Sequence, residues 1–284
     1  MLLYKANSGR RNNGGGGKNN TPDSILKNVQ PTTDYDNYVK NYFDRHKASL
    51  EQQLGRKLTE QDMQKLEKAL RDLTTSPDTH VGIRFDIKDL NAILADGRFK
   101  SQFETGDSGG AFAPYSRADY EHMAMSYSKN LPPEQRPIYG MLFNYKNLSE
   151  VDASYGDGTQ YGGVIAIMKP SVKRFATVTG GDSLDDRGRI TPSPLLNPSR
   201  YSLNMGSFRA KSVIELTTIL NKPLTLQHTA SSYTETQIHG GHAKVSNIQH
   251  LVFPRGTSRN QIPVKELRSA GITWSMEGED KVHK

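Results

Sequence analysis

The sequence contains no cysteine in its 284 residues. This absence excludes disulfide bonds, thiolate metal sites and cysteine nucleophiles. Hydrophobic residues make up only 34% of the chain, and no apolar run approaches the ~20 residues that a membrane-spanning helix needs. The first residues, Met1 to Ser8, also lack the apolar core of a secretory signal peptide. We therefore expect a soluble protein with no Sec-type signal and no membrane partner.

Charge is present in moderate amount and is biased toward basic residues. The formal net charge is +7, and charged residues make up 24% of the chain. A basic surface favours anionic partners such as a phosphate-bearing cofactor or a nucleic acid. The basic residues are not gathered into one arm, so the sequence lacks the concentrated patch typical of nucleic-acid binding. We expect no nucleic-acid partner.

The first thirty residues differ in composition from the rest. They are rich in glycine, asparagine, serine and basic residues, and Gly14 to Gly17 is an unbroken glycine run. Such a segment has too little apolar surface to offset the entropy of ordering it. We interpret residues 1–30 as a disordered tail, either without a role or serving as an export signal for a contact-dependent secretion system. Residues 31–284 are expected to form a single domain.

Two helices are predicted at the start of that domain, in residues 31–77. Aromatic and aliphatic residues recur at three- and four-residue spacing from Thr33 to Leu54, where Gly55 ends the pattern. Thr59 is a good N-cap for a second helix, which ends at Ser76-Pro77. We expect the two helices to form a hairpin packed on a sheet core of residues 78–284.

The sheet core contains many short strand patterns with few helices between them. This pattern predicts an α+β fold with a mixed or antiparallel sheet instead of a doubly wound one. The expected strands are His80–Phe85, Arg136–Tyr145, Tyr161–Met168, Phe175–Thr179, Leu224–His228, Ser232–Ile238, Ile248–Phe253 and Ile272–Met276. The expected short helices are Lys88–Ala95, Arg117–Asn130, Val213–Leu220 and Val264–Ala270, and residues 185–207 are expected to form a long loop.

The first strand carries an arginine among apolar residues. Arg84 shares one strand face with Gly82, which leaves room for a ligand beside it. A guanidinium binds phosphate with fixed geometry. Arg84 is therefore either a phosphate-binding residue or an exposed or ion-paired strand residue.

A polar, glycine-rich stretch follows from Gly97 to Tyr120. Its small residues allow close approach of a ligand, its serine and threonine hydroxyls can donate, and its aromatic rings can stack on a flat group. It has neither the Gly-Lys-Ser/Thr ending of a P-loop nor the Gly-x-Gly-x-x-Gly pattern of a dinucleotide fold. We interpret it as a binding loop, with a floppy surface loop as the alternative.

Near the C-terminal end, Tyr233 to Gly241 predicts a short strand that runs into a turn. Alternation places Glu235 and Gln237 side by side on one face of this strand. A carboxylate beside an amide is suited to holding a sugar hydroxyl, and the simpler alternative is an edge strand with a solvated polar face.

Three histidines in this region raise the alternative of a metal site. His239, His242 and His250 include a His-x-x-His spacing, but the intervening glycines exclude a helix and no carboxylate lies nearby in sequence. We expect no metal, and we interpret His239 as a hydrogen-bonded turn residue.

The order of an arginine strand, an aromatic Ser/Gly loop and a late strand glutamate resembles the ADP-ribosyltransferase toxins. The chain is more closely similar to a bacterial family long described only as a domain of unknown function, which includes type III secretion effectors of the CteC kind. The resemblance covers roughly residues 81–253. Its motifs are Gly82-Ile83-Arg84-Phe85, Ser101-Gln102-Phe103-Glu104-Thr105-Gly106, Arg136-Pro137-Ile138-Tyr139-Gly140, Gly181-Asp182-Ser183, and Tyr233-Thr234-Glu235-Thr236-Gln237-Ile238-His239-Gly240.

This resemblance implies an ADP-ribosyltransferase-like fold with NAD as the ADP-ribose donor. Glu235 would bond the 2′-hydroxyl of the nicotinamide ribose and stabilise a cationic transition state. Arg84 would hold the phosphates or the ribose, and Phe112 would stack on the nicotinamide. The other residues implied in cofactor binding are Ser101, Phe103, Thr105, Ser108, Tyr115 and Gln237, with Phe103 and Tyr115 as alternatives to Phe112 for the stacking.

The resemblance also implies the reaction and its setting. Such an effector is a NAD-dependent protein glycosyltransferase that is secreted into the host cytoplasm, modifies a threonine of ubiquitin and so blocks ubiquitination. The alternatives are an NAD glycohydrolase, a catalytically dead family member, and a basic binding module for an anionic partner. In many toxins of this class the catalytic acid is the final glutamate of a Glu-x-Glu or Gln-x-Glu motif. Here the acid, Glu235, comes first and Gln237 second.

Overall fold

A computed structural model describes residues 22–107, 114–151, 159–184, 192–202 and 234–284. Its strands are β1 (Thr79–Phe85), β2 (Ile138–Asn144), β3 (Val164–Met168), β4 (Ala176–Thr179), β5 (Ser193–Pro194), β6 (Glu235–Ile238), β7 (Ile248–Phe253) and β8 (Thr273–Met276). Its α-helices are α1 (Pro22–Leu26), α2 (Thr33–Leu54), α3 (Glu60–Thr75), α4 (Leu90–Asp96), α5 (Gln102–Thr105), α6 (Pro114–Met125) and α7 (Val264–Ser269).

The described strands form one eight-stranded sheet in the order β5-β4-β6-β2-β1-β3-β7-β8. Neighbouring strands run antiparallel except β7 and β8, which are parallel. The predicted α+β fold with a mixed, mainly antiparallel sheet is therefore confirmed. Because β6 lies between β4 and β2, the late strand that carries the candidate glutamate is an interior strand.

The expectation of disorder for residues 1–30 is wrong for residues 22–30, because α1 forms there and Val29 is buried in an apolar cluster with Tyr35.

The two predicted helices, α2 and α3, lie where the spacing predicts them. Thr32 caps α2 by accepting from the Tyr35 amide, and Gly55 ends that helix in the left-handed conformation with φ 68°. Thr59 and Asp62 form a reciprocal capping box at the start of α3. These local signals fix both helix ends, so the sequence alone was sufficient to place them.

The sheet has two different faces. One face, which we call the core face, bears Val81, Ile83 and Phe85 of β1 and packs against Leu90 of α4 and Leu267 of α7. Gly82 and the Arg84 side chain lie on the opposite face, as the alternation predicted. We call it the cavity face, and α6 packs over part of it.

Some predicted elements differ in extent from the observed ones. The helix predicted over Arg117–Asn130 begins earlier, at Pro114, and ends at Met125, because Ser126 adopts a positive φ of 56°. The helix predicted over Lys88–Ala95 begins as a 3₁₀ turn at Ile87–Asp89 and continues as α4. Within the predicted loop of residues 185–207, the described part contains β5 and a 3₁₀ turn at Arg200–Ser202. The helix and strand predicted between residues 213 and 228 lie outside the described residues.

Candidate active site

A cavity of about 1340 Å³ extends along the cavity face and past the end of β1 to α4 and α5. Its wall contains residues that are far apart in sequence. The residues predicted for the site that line it are Arg84, Ser101, Phe103, Thr105 and Glu235. The strand register explains why Arg84 and Glu235 line the same cavity. Glu235 pairs with Met141 and Met141 with Gly82, two residues before Arg84, so both side chains leave the same face of the sheet.

Glu235 is held in the middle of the sheet. It pairs with Thr179 of β4 on one side and Met141 of β2 on the other, and only 1% of it is exposed. The alternative of an edge strand with a solvated polar face is therefore wrong. A carboxylate at such a position has lost most of its water, and burial of this kind favours the neutral acid.

The Glu235 carboxylate has specific polar neighbours. Gln237 donates from Nε2 to Oε1 over 2.8 Å, which confirms that the two side chains share a face. Burial raises the pKa of Glu235 to about 7; the charge of Arg117 and hydrogen bonds from Ser183 and Gln237 oppose this rise, and nearby Asp182 adds to it. The group therefore changes charge near neutral pH.

Arg117 is the cation nearest to this carboxylate among the described residues. Its Nη1 lies 3.9 Å from Oε1 of Glu235 and donates to the Ser183 hydroxyl over 2.7 Å. Its guanidinium carbon lies 3.9 Å from the centre of the Tyr139 ring, so the planar group is also held by a cation–π contact.

The same contacts continue away from Glu235 toward α5. The Tyr139 hydroxyl donates to Oε1 of Glu121 over 2.9 Å, and Glu121 forms a buried ion pair with Arg136. Arg136 in turn stacks on the ring of Phe103 at 3.9 Å. Phe103 therefore has a protein partner on one side while it lines the cavity.

Arg84 lines the cavity and is 8% exposed. The space that Gly82 was expected to leave for a ligand is filled by protein: a Cβ on Gly82 would lie 2.5 Å from the Phe143 ring. Arg84 itself lies 5.7 Å from the centre of that ring. The prediction of ligand space above Gly82 is therefore wrong, and Arg84 meets the cavity from a position beside Phe143.

The loop that begins at Gly97 is ordered at its described end. Phe99 packs on Phe85 in the core, and its amide donates to Ala243. Ser101 donates its hydroxyl proton to the Pro133 carbonyl over 2.8 Å, and the Thr105 hydroxyl bonds the Asp107 carbonyl over 2.7 Å. These hydroxyls hold the loop and α5, so the alternative of a floppy loop does not describe residues 97–107.

The remaining predicted site residues lie in other surroundings. Gln237 is fully buried, with both ends of its amide bonded to protein, and it is not part of the cavity wall; the prediction of direct cofactor contact is thus corrected to a contact with Glu235. Tyr115 is 88% exposed at the start of α6 and is likewise outside the wall. Ser108 and Phe112 lie outside the described residues.

The three histidines occupy separate environments. Both ring nitrogens of His239 bond hydroxyl groups, those of Tyr127 and Thr177, and the ring is fully buried. His242 stacks on Phe175, and both ring nitrogens of His250 bond hydroxyl groups of β8. Within the described ranges, no three metal-ligating side chains form a group.

Sequence reasoning missed the cation and the polar network around Glu235. Arg117 and Glu121 are four residues apart in a predicted helix, and this spacing places them on one helical face. That spacing could have indicated that Arg117 and Glu121 belong to one polar network. Tyr139 and Ser183 fall within motifs of the resemblance but carried no predicted role, because a single tyrosine or serine gives no local signal of its partner.

Among the described residues, no helix has the length and apolar character needed to cross a membrane.

Comparisons with known proteins identify relatives and a family for this chain. Two relatives are both called "Gene 2 protein": that of Mycobacterium phage D29 is 28% identical over 200 residues, and that of Mycobacterium phage L5 is 31% identical over 204 residues. Each match covers 67% of this chain and 70% of the relative. A family model described as "Protein of unknown function (DUF3626)" matches residues 77–276, from just before β1 to the end of β8. That match spans well over half of the chain, so the protein belongs to this family.

Proposed function

We propose that this protein is a mono-ADP-ribosyltransferase that transfers ADP-ribose from NAD to a hydroxyl group of an acceptor protein. The observation that carries the proposal is the buried Glu235 carboxylate in the wall of a large cavity that Arg84 also lines. A carboxylate stabilises a developing positive charge, and a guanidinium binds phosphate. NAD requires both, because its ribose becomes cationic in the transition state and its pyrophosphate is anionic.

In the proposed reaction, Arg84 binds the pyrophosphate of NAD and Glu235 acts at the ribose. Glu235 accepts a hydrogen bond from the ribose 2′-hydroxyl and stabilises the oxocarbenium-like charge by electrostatics. The bond between the ribose carbon and the nicotinamide nitrogen breaks, and its electron pair leaves with nicotinamide. An acceptor oxygen forms the new bond to that carbon and releases its proton to solvent.

The cavity is large enough for the donor. Its volume of about 1340 Å³ exceeds the roughly 300–1,000 Å³ typical of small-molecule sites. Phe103, Tyr139 and Tyr161 supply aromatic surface in its wall, and Arg117 supplies a second guanidinium beside the carboxylate. These groups match a ligand with two flat rings, ribose hydroxyls and phosphates.

The acceptor and the setting are taken from the family resemblance. The first acceptor to test is a threonine hydroxyl of ubiquitin, whose modification would block ubiquitination. The corresponding setting is a secreted effector that is translocated into a host cytoplasm.

The decisive experiment is intact-mass spectrometry of ubiquitin after incubation with the protein and NAD. The expected result is addition of one ADP-ribose that is lost in Glu235→Gln and retained in Glu266→Gln, whose glutamate is exposed on α7. Release of nicotinamide that depends on Glu235, without modified ubiquitin, would keep NAD cleavage and remove ubiquitin as the acceptor. Absence of both products from the folded protein would refute the proposal and favour a binding module.

A further inference from the structure

A line of hydrogen bonds connects Tyr127, which follows α6, to Glu235. The Tyr127 hydroxyl lies 2.7 Å from Nδ1 of His239, and Nε2 of the same ring lies 2.9 Å from the Thr177 hydroxyl. Thr177 donates to Oε1 of Gln237 over 2.6 Å, and Gln237 donates to Glu235 over 2.8 Å. We call these four bonds the donor chain. It joins the end of α6, β4 and β6.

One direction of donation satisfies every member of the donor chain. An ionised Glu235 only accepts, so Gln237 must present its NH₂ group to it and its oxygen to Thr177. The Thr177 hydroxyl then donates its proton to Oε1 of Gln237. The same hydroxyl oxygen therefore accepts a hydrogen bond from Nε2 of His239.

The histidine tautomer follows from the same reasoning. With its proton on Nε2, the neutral His239 ring has Nδ1 as an acceptor, and the Tyr127 hydroxyl donates to it. Burial lowers the pKa of His239 to about 3, so the ring keeps a single proton at neutral pH. The donor chain therefore runs in this direction whenever Glu235 is ionised.

We propose that Tyr127, His239 and Thr177 are positioning residues that fix the Gln237 amide with its NH₂ group toward Glu235. This inference rests on the proposed role of Glu235 in holding the ribose 2′-hydroxyl. A reversed amide would place one acceptor oxygen against another, and the carboxylate would turn away or stay protonated. The chain moves no proton to Glu235, because the Gln237 amide gives up none.

Two neighbouring threonines provide a matched pair of variants. Thr177 and Thr236 are both strand residues with no exposed surface. Thr177 belongs to the donor chain, whereas the Thr236 hydroxyl has no hydrogen-bond partner within the described part of the chain. Thr177→Val removes a donor and an acceptor from the chain, and Thr236→Val removes neither.

The kinetic test separates positioning from binding. We expect Thr177→Val to lower kcat roughly tenfold with an almost unchanged KM for NAD, since one lost positioning bond corresponds to about one factor of ten. Thr177→Ser restores the hydroxyl and should recover the rate. Thr236→Val should behave as the original protein. Equal rates for Thr177→Val and Thr236→Val would overturn the inference.

A second readout requires no catalysis. The titration of the Glu235 carboxyl, followed by its infrared C=O band with Glu235→Gln as the reference, should have a higher midpoint in Thr177→Val and in Tyr127→Phe. The titratable groups that face this carboxyl are Arg117, Tyr120, Tyr139, Tyr161 and Asp182, and these variants leave them intact.

The two readouts distinguish failure of the inference from failure of the proposed function. A shifted midpoint without NAD turnover in any sample would keep the donor chain and refute the transferase. An unshifted midpoint in Tyr127→Phe would overturn the donor chain, and this variant carries the test if Thr177→Val does not fold. Tyr145→Phe, at a buried tyrosine outside both the donor chain and the cavity wall, is its control.

Discussion

Nη1 of Arg117 lies 3.9 Å from Oε1 of Glu235, while the same nitrogen donates to Ser183 over 2.7 Å. The Arg117 guanidinium is therefore close enough to stabilise the Glu235 carboxylate, although its shorter hydrogen bond goes to Ser183. This partial pairing is consistent with a pKa of about 7 for Glu235, since burial outweighs the opposing charge. The charge of the site is thus sensitive to small changes around it.

The stability of the protein should depend on the charge of Glu235. The pKa of this carboxyl is raised from 4.5 to about 7 on folding, so its ionisation above neutral pH destabilises the folded state. The difference corresponds to at most about 3 kcal/mol, present in full below pH 4.5 and lost as pH rises through 7. Glu235→Gln should raise the melting temperature at pH 8.5 and leave it unchanged at pH 4.5. Equal differences at both pH values, measured by calorimetry, would contradict this explanation.

NAD binding should release protons. The nicotinamide ring is cationic, so its approach stabilises the Glu235 carboxylate and lowers a pKa that begins near 7. Titration calorimetry at pH 7 in buffers of different ionisation enthalpy should report release of roughly half a proton per ligand, because a group at its pKa is half protonated. Glu235→Gln should abolish the release, and Glu266→Gln should retain it.

Replacement of Arg117 should shift the pH dependence of catalysis. Its charge lowers the pKa of Glu235, so Arg117→Gln should raise that pKa and reduce the ionised fraction at pH 7. If the pKa rises by about one unit, the ionised fraction and hence the rate should fall about fivefold at pH 7, and the rate should recover in part toward pH 9. Arg268→Gln, at an exposed residue of α7, is the control. A pH-independent loss would assign Arg117 to binding alone.

The buried pair of Glu121 and Arg136 should stabilise the region between the cavity and α5. Glu121→Ala leaves the Arg136 charge buried without its carboxylate, which should reduce the free energy of unfolding by about 3–5 kcal/mol. The double variant Glu121→Leu with Arg136→Met removes both charges. Urea denaturation should show it to be more stable than Glu121→Ala, and a double variant of lower stability would contradict this account.

Lys173 should hold α3 to the sheet domain. Its buried ammonium donates to the carbonyls of Thr74 and Ser76, 3.1 and 2.8 Å away, at the C-terminal end of that helix. Lys173→Met should reduce the free energy of unfolding by about 2 kcal/mol, since hydrogen bonds from a charged group are lost. Lys169→Met removes an exposed lysine and should have little effect. Faster proteolysis within α3 than elsewhere in the Lys173→Met variant would show that the contact between α3 and the sheet has weakened, in addition to the loss of overall stability.

Local patterns were enough to predict much of the fold. Residues from Thr33 to Leu54 repeat at helical spacing, and Gly55 ends the helix because it adopts a positive φ easily. Alternation placed Glu235 and Gln237 on one face of a strand, and their hydrogen bond confirms it. These features depend on residues a few positions apart, so a single sequence contains the information.

The environment of the site depends on long-range pairing and was not predictable in the same way. Glu235 is buried because β4 and β2 flank its strand, and no residue near it in sequence specifies those neighbours. Arg117 comes from a helix that lies far earlier in the chain. The sequence motifs contain residues of the site, but the order of the strands in the sheet determines which of these residues are in contact.

The central place of β6 has a consequence for how the protein is made. The strand enters between β2 and β4, both of which leave the ribosome before it, and its first residue is the candidate acid. A nascent chain that stops short of β6 has neither the carboxylate nor a continuous sheet to hold one. A cell that makes this protein therefore holds no finished site until β6 has been synthesised, because the carboxylate and the strand that completes the sheet arrive together.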